Sequence, residues 1–384
     1  MSLRRKPGLT LVLALAGALL AAAPAAAHAE SRAGVSGDHA ATLAALKELN
    51  ANGGPGAGVL AGGPAGSWHL SSGTATLHTA DSLAPDEHFR VGSQSKTFLA
   101  VAVLKLAERG GLTLDDPIER HLPGVVTGNG HDGTRITVRH LLQHTSGIPR
   151  DGVLTPQAGA DGTYTLAALV KEALREPSVA APGTTWAYSN GNYEILGMLV
   201  EKLTGAPLHR AVTDLVITPL GLGDTVFPAP GDRVVPAPLI HGHAGVRVGG
   251  FFWWTDVTRS HEPSLFHGSG AIISTTRDLT TFYRALFDGR ALRAASLAEM
   301  TRTVPLTPGG TPADPGYGLG LLKLPLPCGG GAWGHDGGVP GYYSETLVTE
   351  DGRYASGITN AQLNGAPATA MYKTLTTALC EDRP

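Results

Sequence analysis

The sequence predicts an α/β domain assembled from both ends of the chain, with a mostly helical segment inserted between them. Strand-like stretches lie near the N-terminus and again after residue 265, whereas the middle carries helical periodicity and few strands. A long apolar helix follows the first strands directly. The expected division is 1–29 as an export signal, 30–111 with 265–384 as a discontinuous α/β domain, and 112–264 as a helical domain that includes a lid-like loop over 226–266.

Each element has a local reason. Arg4, Arg5 and Lys6 form a basic n-region, Leu9 to Ala23 an apolar core and Ala27-His28-Ala29 a small-x-small cleavage site, so cleavage after Ala29 and secretion are expected. An apolar run of about 15 residues is short for a bilayer span, and no later segment reaches ~18, so no stable membrane anchor is expected. Asp38 to Asn52 is periodic at Leu43, Leu46 and Leu49 and reads as a helix. Gly58 to Gly62 and Ser67 to Leu77 read as strands, and the run from Ser93 ends at a Gly110-Gly111 stop. Helices are then expected over Val138–His144, Thr165–Arg175, Asn192–Thr204 and Leu208–Ile217. Val226 to Phe266, with Phe251-Phe252-Trp253-Trp254, reads as a loop whose aromatic cluster is assigned to core packing. Toward the end, Ala271–Ser274, Tyr317–Leu324 and Ala332–Gly334 are strand-like, and Thr276–Phe287 is a helix. Tyr343–Thr349 and Tyr354–Thr359 form a hairpin around Asp351-Gly352, and Ala368–Ala378 is a closing helix.

Bulk properties narrow the function. Removing residues 1–29 takes away three basic and no acidic residues, moving the formal charge from −3 to −6. That mildly acidic balance, without a Lys/Arg block, argues against nucleic acid as a partner. The 52 glycines and 27 prolines imply many turns, while 42% hydrophobic content furnishes a large core. Two cysteines in an exported chain, Cys328 and Cys380, permit one disulfide. Neither has a ligand-spaced companion, so no metal is expected.

Three motifs carry chemistry. Ser93-Gln94-Ser95-Lys96 puts a hydroxyl and an amine at i,i+3, on one face of a helix, near its positive N-terminal end. Of the eight lysines only Lys96 has a serine three positions before it. Tyr188-Ser189-Asn190 supplies a phenol able to relay a proton and a carboxamide able to hold a substrate amide; of the nine tyrosines only Tyr188 has asparagine two residues on. His335-Asp336-Gly337-Gly338 ends a strand-like segment in glycines that let a substrate backbone approach and offer N–H groups to an oxyanion. The same four letters at Gly130-His131-Asp132-Gly133 lack strand context and are given no role.

In the order Ser-x-x-Lys, Tyr-x-Asn, His-x-Gly, the chain resembles the serine D-alanyl-D-alanine carboxypeptidases, class C β-lactamases and related esterases and D-aminopeptidases. The likeness extends to Phe89-Arg90-Val91-Gly92-Ser93, Ile136 to Gly147, Gly270 to Thr275, Tyr317 to Gly320 and Gly334 to Tyr342. It implies a β-lactamase/transpeptidase-like fold with an antiparallel sheet between helices. Ser93 would be the acylated nucleophile, with Lys96 and Tyr188 sharing the proton traffic. Either could be the base. Asn190, Asp336, Gly337 and Gly338 would bind substrate, His335 would hydrogen-bond near Tyr188 or Ser93, and the N–H groups of Ser93 and Gly338 would stabilise the oxyanion. A cysteine before the third motif paired with one at the C-terminus, as in the carboxypeptidase branch, would link Cys328 to Cys380. No cofactor is implied.

The expected partner is a small peptide, β-lactam or ester, acted on by a monomer. The leading expectation is a D-alanyl-D-alanine carboxypeptidase-like peptidase. An esterase, amidase or D-aminopeptidase with the same catalytic residues is the alternative, and a non-catalytic penicillin-binding sensor the alternative from another class. Against terminal-carboxylate recognition stand Asp336 and Gly338 at positions where the peptidase branch carries hydroxyls. Leu322 also stands where that branch carries arginine, and strand alternation turns Lys323 to the face opposite Leu322.

Overall fold

The computed structural model describes residues 38–381, apart from 151–154, 249–250, 308, 312–313 and 363–365. The expected signal, 1–29, lies outside the described residues. After helix α1 (Ala40–Gly53) come strands β1 (Gly56–Gly63), β2 (Gly66–Gly73) and the short β3 (Phe89–Arg90). A 3-10 turn at Gly92–Gln94 leads into α2 (Ser95–Glu108). Next come β4 (Thr127–Gly128), β5 (His131–Asp132), α3 (Val138–Leu142), α4 (Leu166–Ala173), α5 (Asn190–Thr204) and α6 (Leu208–Val212). The hairpin β6 (His243–Val248) and β7 (Phe251–Asp256) precedes α7 (His267–Gly270), β8 (Ile273–Ser274), α8 (Thr276–Phe287) and α9 (Ala294–Met300). The chain closes with β9 (Val304–Pro305), β10 (Gly316–Tyr317), β11 (Leu322–Pro325), β12 (Gly331–Val339), β13 (Tyr342–Val348), β14 (Tyr354–Thr359) and α10 (Ala366–Glu381).

Eight strands form one antiparallel sheet in the order β2-β1-β14-β13-β12-β11-β10-β9, so strands from both ends of the chain meet at the β1–β14 pair. One face is covered by α1 and α10 through Leu46, Leu49, Met371, Leu375 and Leu379. The other packs on α8 and, beyond it, α2, where the Phe98 and Phe282 rings stack at 3.7 Å. Ser95 through Leu104 are all buried, as expected for a helix apolar on every side. The Cys328–Cys380 disulfide ties the turn before β12 to α10. Among the described residues no helix is long and apolar enough to cross a membrane.

Several expectations change. The stretch read as loop or lid contains the β6–β7 hairpin, and Trp253 on it is 70% exposed rather than core. Valines and aromatics favour extended backbone on either side of the hairpin tip, and this outweighs the Pro/Gly-rich composition around it. The strand expected over Tyr317–Leu324 breaks into β10 and β11, because Gly320 adopts φ 72° against α2, where a Cβ would stand 2.6 Å from Ala100 Cβ. His131, expected in a loop, lies in the two-residue β5, and its Nε2 pairs with the Glu176 carbonyl at 2.9 Å.

Candidate active site

The turn between β3 and α2 exposes one polar side chain and buries its neighbours. Gly92 takes φ 55°, which lets the chain fold tightly enough to aim Ser93 outward. Ser93 is half-buried, whereas Gln94, Ser95 and Lys96 are buried. Gln94 Nε2 donates to Ser344 Oγ at 2.7 Å, and Ser95 Oγ accepts from Ile272 N at 3.1 Å, fixing the turn from below. Lys96, fully buried on the first turn of α2, reaches back along the i,i+3 face. Its Nζ lies 3.0 Å from Ser93 Oγ, 2.7 Å from Asn190 Oδ1 and 2.9 Å from the Ser269 carbonyl. Three acceptors match the three N–H bonds of an ammonium. They also match a neutral amine that donates twice and accepts the Ser93 proton through its lone pair.

The second motif arrives from α5, whose first residue is Asn190. Tyr188 is half-buried, and Lys96 Nζ sits 4.8 Å from its ring centroid. Asn190 Oδ1 already accepts from Lys96, so contact with a substrate carbonyl would run through its Nδ2 donors. Motif reasoning assigned no role to His144, on the loop after α3. Its ring centroid is 4.4 Å from that of Tyr188.

The third motif is partly at the site. His335 is buried, and its Nε2 accepts from Tyr317 Oη at 3.0 Å while its Nδ1 donates to the Asp336 carbonyl at 2.5 Å. Burial, with the Lys96 charge adding to it, holds this imidazole below its ordinary pKa, so it is neutral with the proton on Nδ1. Its ring is 6.3 Å from that of Tyr188, and where a hydrogen bond near Tyr188 or Ser93 was expected, its Nε2 pairs with Tyr317. Burial likewise raises the pKa of Tyr317, keeping the phenol protonated and able to donate. Tyr317 is therefore a site residue that the motifs did not identify. Its only sequence signal was membership of the Tyr317 to Gly320 segment.

β11 pairs with β12 only as far as Gly334, so from His335 to Val339 the strand is hydrogen-bonded to β13 alone and its other edge is open. There the nucleophile turn packs backbone to backbone on β12. A Cβ on Gly337 would stand 2.8 Å from Ser93 N, and one on Gly92 would stand 2.8 Å from Gly338 N. The Ser93 and Gly338 N–H groups thus belong to two main chains in contact, as a two-donor oxyanion site needs. Asp336 is placed differently from its neighbours. It stands opposite Glu345, on the face of Tyr343, whose Oη donates to Asp336 Oδ2 at 3.3 Å. Its carboxylate reaches the cleft only along the open edge, with Oδ1 3.6 Å from His335 Nδ1. This corrects the expectation of a carboxylate facing the substrate, and the reason is strand alternation. Lys323 lies over the Trp333 ring, 5.7 Å from its centroid, and lines a cavity of about 550 Å³ with Glu350, Asp351 and Arg353. Among the described residues no group of three or more His, Cys, Asp or Glu is arranged to hold a metal ion.

A buried lysine joined to an accessible serine, with a tyrosine alongside and a glycine-lined strand edge opposite, defines a serine acyl-transfer hydrolase. A family model described as Beta-lactamase matches residues 40–375, and the chain belongs to that family, with its β-lactamase/transpeptidase-like fold. Its sequence is 32% identical to Penicillin-binding protein 4 of Amycolatopsis lactamdurans over 317 residues, 80% of each chain. It is 30% identical to Esterase EstB of Burkholderia gladioli over 304 residues, 70% of this chain and 75% of the other. Its structure matches a D-stereospecific amidohydrolase from Streptomyces sp. with TM-score 0.77 and 39% identity, covering 88% of this chain and 98% of that one. D-amino acid amidase from Ochrobactrum anthropi SV3, complexed with D-phenylalanine, matches with TM-score 0.76 and 26% identity over 89% and 98%.

Proposed function

We propose that this chain is an exported serine hydrolase that cleaves amides or peptides of D-amino acids through an acyl-enzyme on Ser93. The observation that carries this reading is the 3.0 Å contact between Ser93 Oγ and the fully buried Lys96 Nζ. Ser93 Oγ attacks the substrate carbonyl, and its proton passes to the Lys96/Tyr188 pair. The carbonyl oxygen becomes an oxyanion facing the Ser93 and Gly338 N–H groups, a term worth about 3–4 kcal/mol per donor. The C–N bond breaks as the amine takes that proton, and water then releases the acid and restores Ser93. Asn190 binds the acyl-side amide, and the Gly337–Gly338 edge lies along the substrate backbone.

Similarity to a D-stereospecific amidohydrolase favours an amidase or D-aminopeptidase form of the reaction. Similarity to Penicillin-binding protein 4 favours a D-alanyl-D-alanine carboxypeptidase form. The placement of Lys323 over Trp333, and the neutral state of His335, favour the first, because a terminal carboxylate calls for a cation at the third motif. The Cys328–Cys380 bridge and the basic-apolar N-terminus support export. Intact-mass analysis after mixing with D-phenylalanine amide, a D-Ala-D-Ala-terminated peptide, an aryl ester and a penicillin tests the reading. The expected result is an acyl adduct absent in Ser93→Ala. No adduct with any of the four, in protein that is folded, would reject it.

A further inference from the structure

His144 makes more contacts to the second motif than any motif reading assigns to it. Its carbonyl accepts from Ala187 N at 2.8 Å and its Nδ1 accepts from Ser189 N at 3.3 Å, so one residue pins the peptide N–H on each side of Tyr188. A second donor reaches the same Nδ1, Asn192 Nδ2 at 3.0 Å, and the orientation of that carboxamide is set by Ser146 Oγ, which donates to Asn192 Oδ1 at 2.6 Å. Two donors converging on Nδ1 leave it no proton of its own, so the ring is the neutral Nε2–H tautomer. Full burial, with Lys96 and His335 nearby, lowers its pKa well below the ordinary value and agrees with that assignment. The ring then lies against the Tyr188 ring at 4.4 Å, tilted by 37°.

The backbone carries a further sign. His144 sits at φ 58°, in the left-handed region where a non-glycine residue is uncommon and strain persists only if its surroundings over-determine it. In this conformation the carbonyl and the side chain both reach the 187–189 segment.

We propose that His144 is the positioning residue for Tyr188, holding the phenol at its distance from Lys96 and Ser93 through the Nδ1 acceptor. This rests on the proposed part of Tyr188 in proton transfer. A displaced phenol lowers the acylation rate without changing the groups that bind substrate. Loss of the acceptor therefore reduces kcat by about 10²-fold while KM stays near its wild-type value, the scale expected for a misplacement of ~1 Å.

Three variants separate this from packing and from strain. Asparagine keeps an acceptor where Nδ1 stands and tolerates left-handed backbone; glycine tolerates that backbone without an acceptor; leucine has the shape of asparagine without an acceptor. Acylation rates per active site, titrated with a fluorophosphonate so that unfolded protein does not count, should rank His144→Asn above both His144→Gly and His144→Leu. The order Gly, Asn, Leu would mean that only strain matters, and the order Leu, Asn, Gly that only volume does; either overturns the proposal. Combining His144→Leu with Tyr188→Phe gives the second readout, since a residue acting through Tyr188 should add no further loss of kcat in that background. A full additional loss overturns the proposal. If Tyr188→Phe alone leaves kcat unchanged, the part given to Tyr188 fails first, and that outcome is read before the His144 variants.

Discussion

Gly337→Ala and Gly338→Ala, on adjacent residues, are expected to behave very differently. At Gly337 the new methyl would stand 2.8 Å from Ser93 N and 3.0 Å from the Val91 carbonyl carbon, with the Val91 carbonyl oxygen closer still. Ordinary contact begins near 3.4 Å. The nucleophile turn and β12 must therefore open by about 0.6 Å against Ser93 N alone, and by more against Val91 O. Both partners are main chain held on each side, so no side chain can rotate out of the way. Opening the seam separates the Ser93 and Gly338 N–H groups, and losing alignment of one such donor costs roughly 10²–10³ in rate, about 2.7–4 kcal/mol. Overpacking of this kind lowers stability by about 1–3 kcal/mol. At Gly338 the nearest atoms to the methyl are Tyr343 Cδ2 at 3.4 Å, Gln362 Nε2 at 3.7 Å and Gln362 Cγ at 3.8 Å, all ordinary contacts, and the N–H is retained. The assay is the second-order rate of fluorophosphonate labelling at Ser93 alongside kcat/KM for an aryl ester, with thermal melts to establish folding. Gly337→Ala should lose two to three orders of magnitude and Gly338→Ala less than one. Two variants of equal activity would refute the claim that this backbone contact sets the oxyanion pair.

Tyr317→Phe removes the donor to His335 Nε2 and leaves a buried acceptor unpaired, so the urea midpoint should fall by an amount worth about 1–3 kcal/mol; an unchanged midpoint would mean the contact is not made in solution. Glu345 is fully buried, and burial, with Asp336 nearby, holds its pKa well above the ordinary value. The fold therefore keeps a proton that the unfolded chain releases near pH 4.5, and stability drains away as pH rises above that point. Glu345→Gln should equal wild type at about pH 4 and exceed it increasingly toward about pH 8 in thermal melts, and a constant difference across that range would contradict this. His261 and His267 are pushed down to about 4 by burial, so their contribution runs the other way, present above ~6.5 and lost as pH falls toward 4. Melting temperatures should therefore drop across that window, and less steeply in His267→Gln. Reducing the Cys328–Cys380 bridge, which spans 52 residues, should lower unfolding free energy by roughly 4 kcal/mol on the chain-entropy argument, measured as a shift in denaturant midpoint with reductant.

What the sequence could reveal followed the range of the interaction. Ser93 and Lys96 were legible because an i,i+3 pair meets whether the first residue is in an α-turn or, as here, in a 3-10 turn ahead of α2. The same holds for α8, whose observed bounds Thr276–Phe287 coincide with its periodic run. Asp336 shows a signal present but unused. A period of two along β12 already placed it on the face opposite His335, and reading it as a pocket group followed adjacency in sequence rather than the pleat. Tyr317 and His144 were beyond local reasoning. Tyr317 and His144 fall in family-like segments, but no role is assigned until the turn at Gly320 pairs β10 with β11 and carries the Tyr317 hydroxyl to His335, and until Ala187 and Ser189 pair with His144 from as far as 45 positions away. The β6–β7 hairpin was hidden differently: its pairing is local, but composition suggested irregular structure, and pairing geometry overrode it.

The arrangement around Lys96 bears on how the proton can travel. Its nitrogen is enclosed by three oxygens, by the Tyr188 ring at 4.8 Å and by the Tyr193 ring at 5.7 Å. The two nearest imidazoles, His144 and His335, are both held below their ordinary pKa by burial first and by the Lys96 charge in addition. Each also has ring nitrogens committed by hydrogen bonds: His144 Nδ1 serves the backbone of the second motif, while His335 Nε2 serves Tyr317 and its Nδ1 the Asp336 carbonyl. Histidine, the usual general base at neutral pH, is thus present twice, with the acceptor nitrogen of each ring already taken. The amine stands 3.0 Å from Ser93 Oγ, with the centroid of the Tyr188 ring 4.8 Å from its nitrogen. Burial keeps both rings neutral, so neither adds an imidazolium to a region with little water to screen its charge.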